Sequence, residues 1–167
     1  YIAQNSVDYN GEIDGSGYGG ITANATEYYD DLDFTAGVYI TDSILHGAGD
    51  GGSITAFTNT QGTINSKNSL KSAGVIPVAV AFSDYAIDYN NSVNVKGSNL
   101  TTDKKDQNIT LAANDNTVVK MNTLADTQGG VAGAASAKAN SELNRNNIIN
   151  IDGGLLHSTN DVNIYAD

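Results

Sequence analysis

The densest run of carboxylates in this chain is Asp30-Asp31-Leu32-Asp33, and two tyrosines, Tyr28 and Tyr29, stand directly before it. Paired carboxylates about 5–9 Å apart can divide acid, base and nucleophile roles in glycoside hydrolysis. Exposed tyrosines offer a flat apolar face with a polar tip, suited to a sugar ring or a protein surface. The theme returns with Asp84, Tyr85, Asp88 and Tyr89, and then only as Glu142. Tyr28, Tyr29 and Tyr85, with Asp30, Asp31 and Asp33, are the candidate binding residues. The three aspartates are also the candidate acid–base set. The competing reading is a tyrosine ladder packed between strands beside a solvated acidic ribbon.

Gly47-Ala48-Gly49-Asp50-Gly51-Gly52 is similar to the glycine–aspartate turns that bind calcium in nonapeptide β-rolls, and Asp50 is the calcium candidate. Such sites need consecutive nonapeptides, and this chain has one. His46 and His157 occupy matching places after Ile44-Leu45 and Leu155-Leu156, with Thr101 aligned between them. A metal needs converging ligands, and these histidines are expected several coils apart, as exposed corner residues. There is no cysteine, no Gly-x-Ser-x-Gly elbow and no phosphate loop. The sequence therefore gives no motif for an enzyme or a cofactor. A β-helical polysaccharide-degrading enzyme built on Asp30, Asp31 or Asp33 is the least favoured alternative.

Composition narrows the partners. Over 167 residues the net charge is -11, with 8 Lys and Arg and no basic stripe, which disfavours nucleic acid. No segment approaches the roughly 18 apolar residues of a membrane span. Hydrophobic residues make up 40 %, enough for a core, but aromatics are only 7 %, so Val, Ile, Leu and Ala must fill it. Asn (21) and Gly (18) are abundant, as expected of many turns between short strands. Asn-x-Ser/Thr sequons at Asn24, Asn90, Asn99 and Asn108 are near chance in so Asn-rich a chain.

Those residues sit in a repeat of about 55 residues. Val38-Tyr39-Ile40-Thr41-Asp42-Ser43 aligns with Val93-Asn94-Val95-Lys96-Gly97-Ser98 and with Ile149-Asn150-Ile151-Asp152-Gly153-Gly154. Upstream lie Gly20-Ile21, Gly74-Val75 and Gly130-Val131; downstream lie Ile54-Thr55-Ala56, Ile109-Thr110-Leu111 and Val162-Asn163-Ile164. The period-two alternation is a strand signal, and the alignment extends it to the Ala-rich stretch after Val131. Three units follow, at about 18–73, 74–129 and 130–167. Three coils per unit would make one right-handed parallel β-helix of roughly eight to nine coils. Tandem antiparallel β-sandwich modules are the alternative. Val38, Ile40, Ile54, Val93, Val95, Ile109, Leu111, Ile149, Ile151, Val162 and Ile164 are the expected inward set. The chain opens and closes inside strand-like pattern and has no signal peptide, as expected of a piece of something longer.

The segments Ser92–Ala113 and Asn147–Ala166, with a fainter copy at Gly37–Phe57, resemble the haemagglutinin-like repeats of two-partner-secretion exoproteins. Within these they are most similar to the large leukotoxin-type filamentous adhesins of anaerobic Gram-negative bacteria. The resemblance implies a β-helical shaft, secretion to the bacterial cell surface, and a part in attachment, aggregation or virulence. It implies no catalytic residue. The expected function is a structural spacer that carries a distal site for a host or neighbouring-cell glycan or receptor. The alternative is a module that binds such a ligand itself. End-to-end self-association through open strand edges is a further expectation.

Overall fold

Ile2 pairs with Phe57 and Val38 with Val93; across its first three ladders each residue meets the one 55 positions further on. A computed structural model covers residues 1–167 and shows an all-β chain with no helix. Its strands are β1 (Ile2–Thr41), β2 (Ile44–Gly47), β3 (Ile54–Thr102), β4 (Ile109–Gln128), β5 (Ala134–His157) and β6 (Val162–Ala166). All pairings are parallel: β1 and β2 lie on β3, β3 carries β4 and β5, and β6 lies on β4. Antiparallel sandwich modules are thereby excluded. The Ala-rich stretch is a strand, β5, despite its helical propensity, because Ala134–His157 pairs along the whole of Val78–Thr101. Ladder hydrogen bonds and packing override local propensity here.

The expected count of eight to nine coils is corrected by this register. Three coils per unit would pair residues at about a third of the period, whereas every ladder joins residues a full unit apart. The chain thus follows one long path three times, in three stacked layers.

Straight, the 40 residues of β1 would run roughly 130 Å, yet the hydroxyls of Tyr9 and Tyr28 are 2.6 Å apart. The strand doubles back around Gly19-Gly20-Ile21, and β3 does so around Gly74-Val75. Before the turn Val7, Tyr9 and Gly11 face inward; after it Tyr28, Asp30 and Leu32 do. The facing runs come very close. A Cβ on Gly11 would enter the Tyr28 ring, and one on Gly17 the Asn24 side chain, so the inward glycines keep this region thin.

The interior is segmented. The largest apolar cluster is Val38, Ile40, Ile54, Ala56, Val93, Val95, Leu100, Ile109 and Leu111, at the broad end away from the turn. It holds seven of the expected inward residues. Ile151, Val162 and Ile164 lie on the same columns but on the third layer, where they are half-exposed. A second cluster joins Val7, Ile64, Tyr85, Ile87 and Tyr89, and a third Leu70, Ala79 and Ala81. Polar layers divide them. Thr60 Oγ1 donates to Asn91 Oδ1 at 2.8 Å, and Asn91 Nδ2 to Asn147 Oδ1 at 2.9 Å. Thr26 donates to Asn68 Oδ1 at 2.8 Å, and Asn68 donates to the Phe82 carbonyl at 2.7 Å. Thr60, Asn91, Thr26 and Asn68 are tolerated in the interior because their amides and hydroxyls find partners there.

Two corners close the broad end. At the first, Asp42, Gly97 and Gly153 adopt φ of 48°, 57° and 69°. Buried Ser98 ties that corner, accepting from the Ser43 amide at 3.0 Å and donating to the Lys96 carbonyl at 2.8 Å. At the second, buried Gln107 accepts from the amides of Asp103 and Lys104 at 3.0 and 3.1 Å and donates to the Gly49 carbonyl.

Candidate functional site

The turn at Gly19-Gly20-Ile21 decides which candidate residues reach the surface. Tyr85 is fully buried, stacked on the inward Tyr28 ring at 5.4 Å between centroids. Asp30 also points inward, accepting from the hydroxyls of Tyr9 and Tyr28. Burial, and then the proximity of Tyr85, pushes the Tyr28 phenol up to about 12; burial likewise raises Tyr85 and Tyr89. Tyr28, Tyr85 and Asp30 are therefore interior residues, and the expected exposed strip Tyr28–Tyr29–Tyr85 is corrected. Only Tyr29, Asp31 and Asp33 of the six candidates face outward.

What stands on that outward face is a different set. Tyr29 is 65 % exposed and Tyr39 70 %. Along β1 between them the outward positions are Asp31, Asp33, Thr35 and Gly37; their β3 neighbours run from Asp84 through Ala86, Asp88, Asn90 and Ser92 to Asn94. Asp33 and Asp88 are ladder partners. With Asp31 they bring three carboxylates together, with ligand oxygens within 4.8 Å of one another. Asp33 borders a cavity between Gln4–Tyr9 and Leu32–Thr35, but Asp31 and Asp88 line no cavity, so none encloses the trio as a glycosidase encloses its sugar.

Tyr39 does not stand up from the sheet. A Cβ on Gly37 would lie 2.7 Å from its Cε2, so the ring lies back over Gly37. Beside it Asn150 donates to Asn94 Oδ1 at 2.8 Å, and Asn146 to Asn90 Oδ1 at 3.2 Å, forming two amide rows across the layers. Tyr39, Asn90 and Asn94 were absent from the sequence candidates, although strand parity contains the signal: Tyr39 is the middle residue of Val38-Tyr39-Ile40, whose flanks face the core.

The calcium candidate Asp50 is ion-paired with Lys104, so a cation already faces it. The histidines are closer than expected. His46 pairs with Thr101 and Thr101 with His157, which sets the two only two strand spacings apart, roughly 10 Å. His46 is engaged on both nitrogens, Nδ1 with Thr101 Oγ1 and Nε2 with Asp103 Oδ2, each at 2.9 Å. On the opposite outward face, Lys67 bridges Glu12 and, at 3.7 Å, Asp14. Its hydrogen bond to Glu12, with the charge of Asp14, raises the Lys67 amine; the Ser69 hydroxyl, with Lys67, lowers the Asp14 carboxyl.

Inside the third layer, Arg145 Nε meets the buried Asp115 carboxylate at 2.7 Å. No helix is long and apolar enough to cross a membrane. No protein-family model matches the chain, and no curated protein or solved structure matches it either.

Proposed function

We propose that this chain is a shaft segment, a right-handed parallel β-solenoid that serves as a rigid spacer in a secreted bacterial surface adhesin. One observation carries the reading: every ladder is parallel and joins residues about one unit apart, so the backbone hydrogen bonds between layers form rows along one axis. A load along the layers is then shared by long parallel ladders rather than by a few contacts. The carboxylates do not favour a hydrolase, since no cavity takes in the whole outward trio and Asp30 is tied to two tyrosine hydroxyls. The repeat resemblance supports the placement at the cell surface.

Single-molecule pulling between the two ends of the chain tests this. A spacer should resist force and then release one layer at a time, each adding roughly 190 Å of contour for a 55-residue path. Smooth extension without force peaks would contradict a load-bearing role.

A further inference from the structure

We propose that the outward strip of β1 from Tyr29 to Tyr39, with its β3 neighbours Asp84 to Asn94, binds a cationic glycan, a polymer of glucosamine with free amines. The strip runs roughly 33 Å along the strand. It begins and ends on exposed tyrosines and carries carboxylates and amides between them.

Charge selects the sign of the occupant. The first Lys or Arg of the sequence is Lys67, and the first 55 residues hold nine Asp and Glu, so the first layer carries no Lys or Arg; its one histidine, His46, lies outside the strip and faces Asp103. On the second layer no Lys or Arg falls between Phe82 and Asn94. Asp31, Asp33 and Asp88 lie together, and none of them is in a salt bridge within the chain. An ammonium group placed there would gain charge-assisted hydrogen bonds. A sialylated or sulfated glycan would be repelled.

The laid-back ring selects a sugar over a basic peptide. Tyr39 over Gly37 presents an aromatic face flush with the sheet, on which the C–H face of a pyranose can lie. A hexosamine polymer also offers hydroxyls to the amides of Asn90 and Asn94, which already hold their neighbours Asn146 and Asn150 in rows. A flat, extended, regularly spaced surface suits a flat, extended polymer. The site is independent of the shaft reading, since it needs only this face of the sheet.

The test is calorimetric titration of the purified chain with a glucosamine hexamer, an N-acetylglucosamine hexamer and a lysine hexamer, at low salt. The expected order is glucosamine tightest, by about tenfold over the other two. Tyr39→Ala and Asp33→Asn/Asp88→Asn should each weaken glucosamine binding by about tenfold. Their melting temperatures should stay unchanged, since these side chains are outward. Gly37→Ala, which pushes the ring off the sheet while keeping it, should weaken binding too. Equal binding of the lysine hexamer would mean charge alone is read and would overturn the glycan assignment. So would tight binding of the N-acetylated hexamer, unaffected binding by Tyr39→Ala, or no binding of glucosamine at all.

Discussion

Asp42 and Gly97 occupy the same corner in consecutive layers, and both are left-handed, with φ of 48° and 57°. The amide of Asp42 donates to the carbonyl of Lys96, holding the two turns in step. A left-handed conformation costs a side-chain-bearing residue about 1–2 kcal/mol. Gly97→Ala should therefore lower stability by about that amount, and Gly97→Asn by less, since Asn tolerates this region. Asp42→Gly should be neutral or stabilising. Thermal melts of the three variants check the order.

Ser98 and Gln107 each satisfy backbone groups that nothing else in the structure reaches. Ser98→Ala strips the Ser43 amide of its acceptor, and Gln107→Ala strips the amides of Asp103 and Lys104 of theirs. Each should cost about 0.5–1.5 kcal/mol, the net worth of a hydrogen bond, because the amides left without acceptors are only partly buried. Chemical denaturation should show a lower midpoint with an unchanged slope.

The Tyr85 hydroxyl is buried without a hydrogen-bond partner. Tyr85→Phe removes that unpaired group and keeps the ring stacked on Tyr28, so it should leave the melting temperature unchanged or raise it. A loss above about 1 kcal/mol would show that the hydroxyl is in fact satisfied.

Alkali should unfold the protein through its interior phenols. The folded structure raises Tyr28 from 10.0 to about 12, and raises Tyr85 and Tyr89 as well. A raised group binds its proton more tightly when folded. Its contribution is thus fully present below pH 10 and lost as pH rises toward about 12. Of the nine tyrosines, these three should ionise only with loss of strand signal, followed by phenolate absorbance alongside circular dichroism.

Much of the fold was legible in the broad end and little of it in the flattened end. The columns Val38–Val93–Ile149 and Ile54–Ile109–Val162 are sequence alignments that became ladders, because apolar residues alternate with polar ones around them. The number of coils was not legible. Between the tip and the broad end the inward residues include Asn, Ser and Thr, such as Ser66, Asn68 and Ser83, and these look the same as outward Asn65 or Ser69. The unit start was also read one residue late, since Gly19, not Gly20, pairs with Gly74. The orientation of Tyr28 and Tyr85 failed for a related reason. The turns at Gly19-Gly20-Ile21 in β1 and Gly74-Val75 in β3 reverse the parity of the alternation, and their glycines mark a turn without fixing the residue at which the parity changes.

The long register is the claim on which the rest depends, and disulfide trapping tests it directly in a chain with no native cysteine. Asn10 and Asn65 are outward ladder partners, with Asn65 donating to Asn10 at 3.0 Å. Strand neighbours at about 4.8 Å lie within reach of a disulfide. Asn10→Cys with Asn65→Cys should oxidise to an intramolecular bond, while Asn65→Cys with Asp84→Cys, on opposite outward faces, should not. Efficient bonding of the second pair and none of the first would contradict three long layers and restore a path of many short coils.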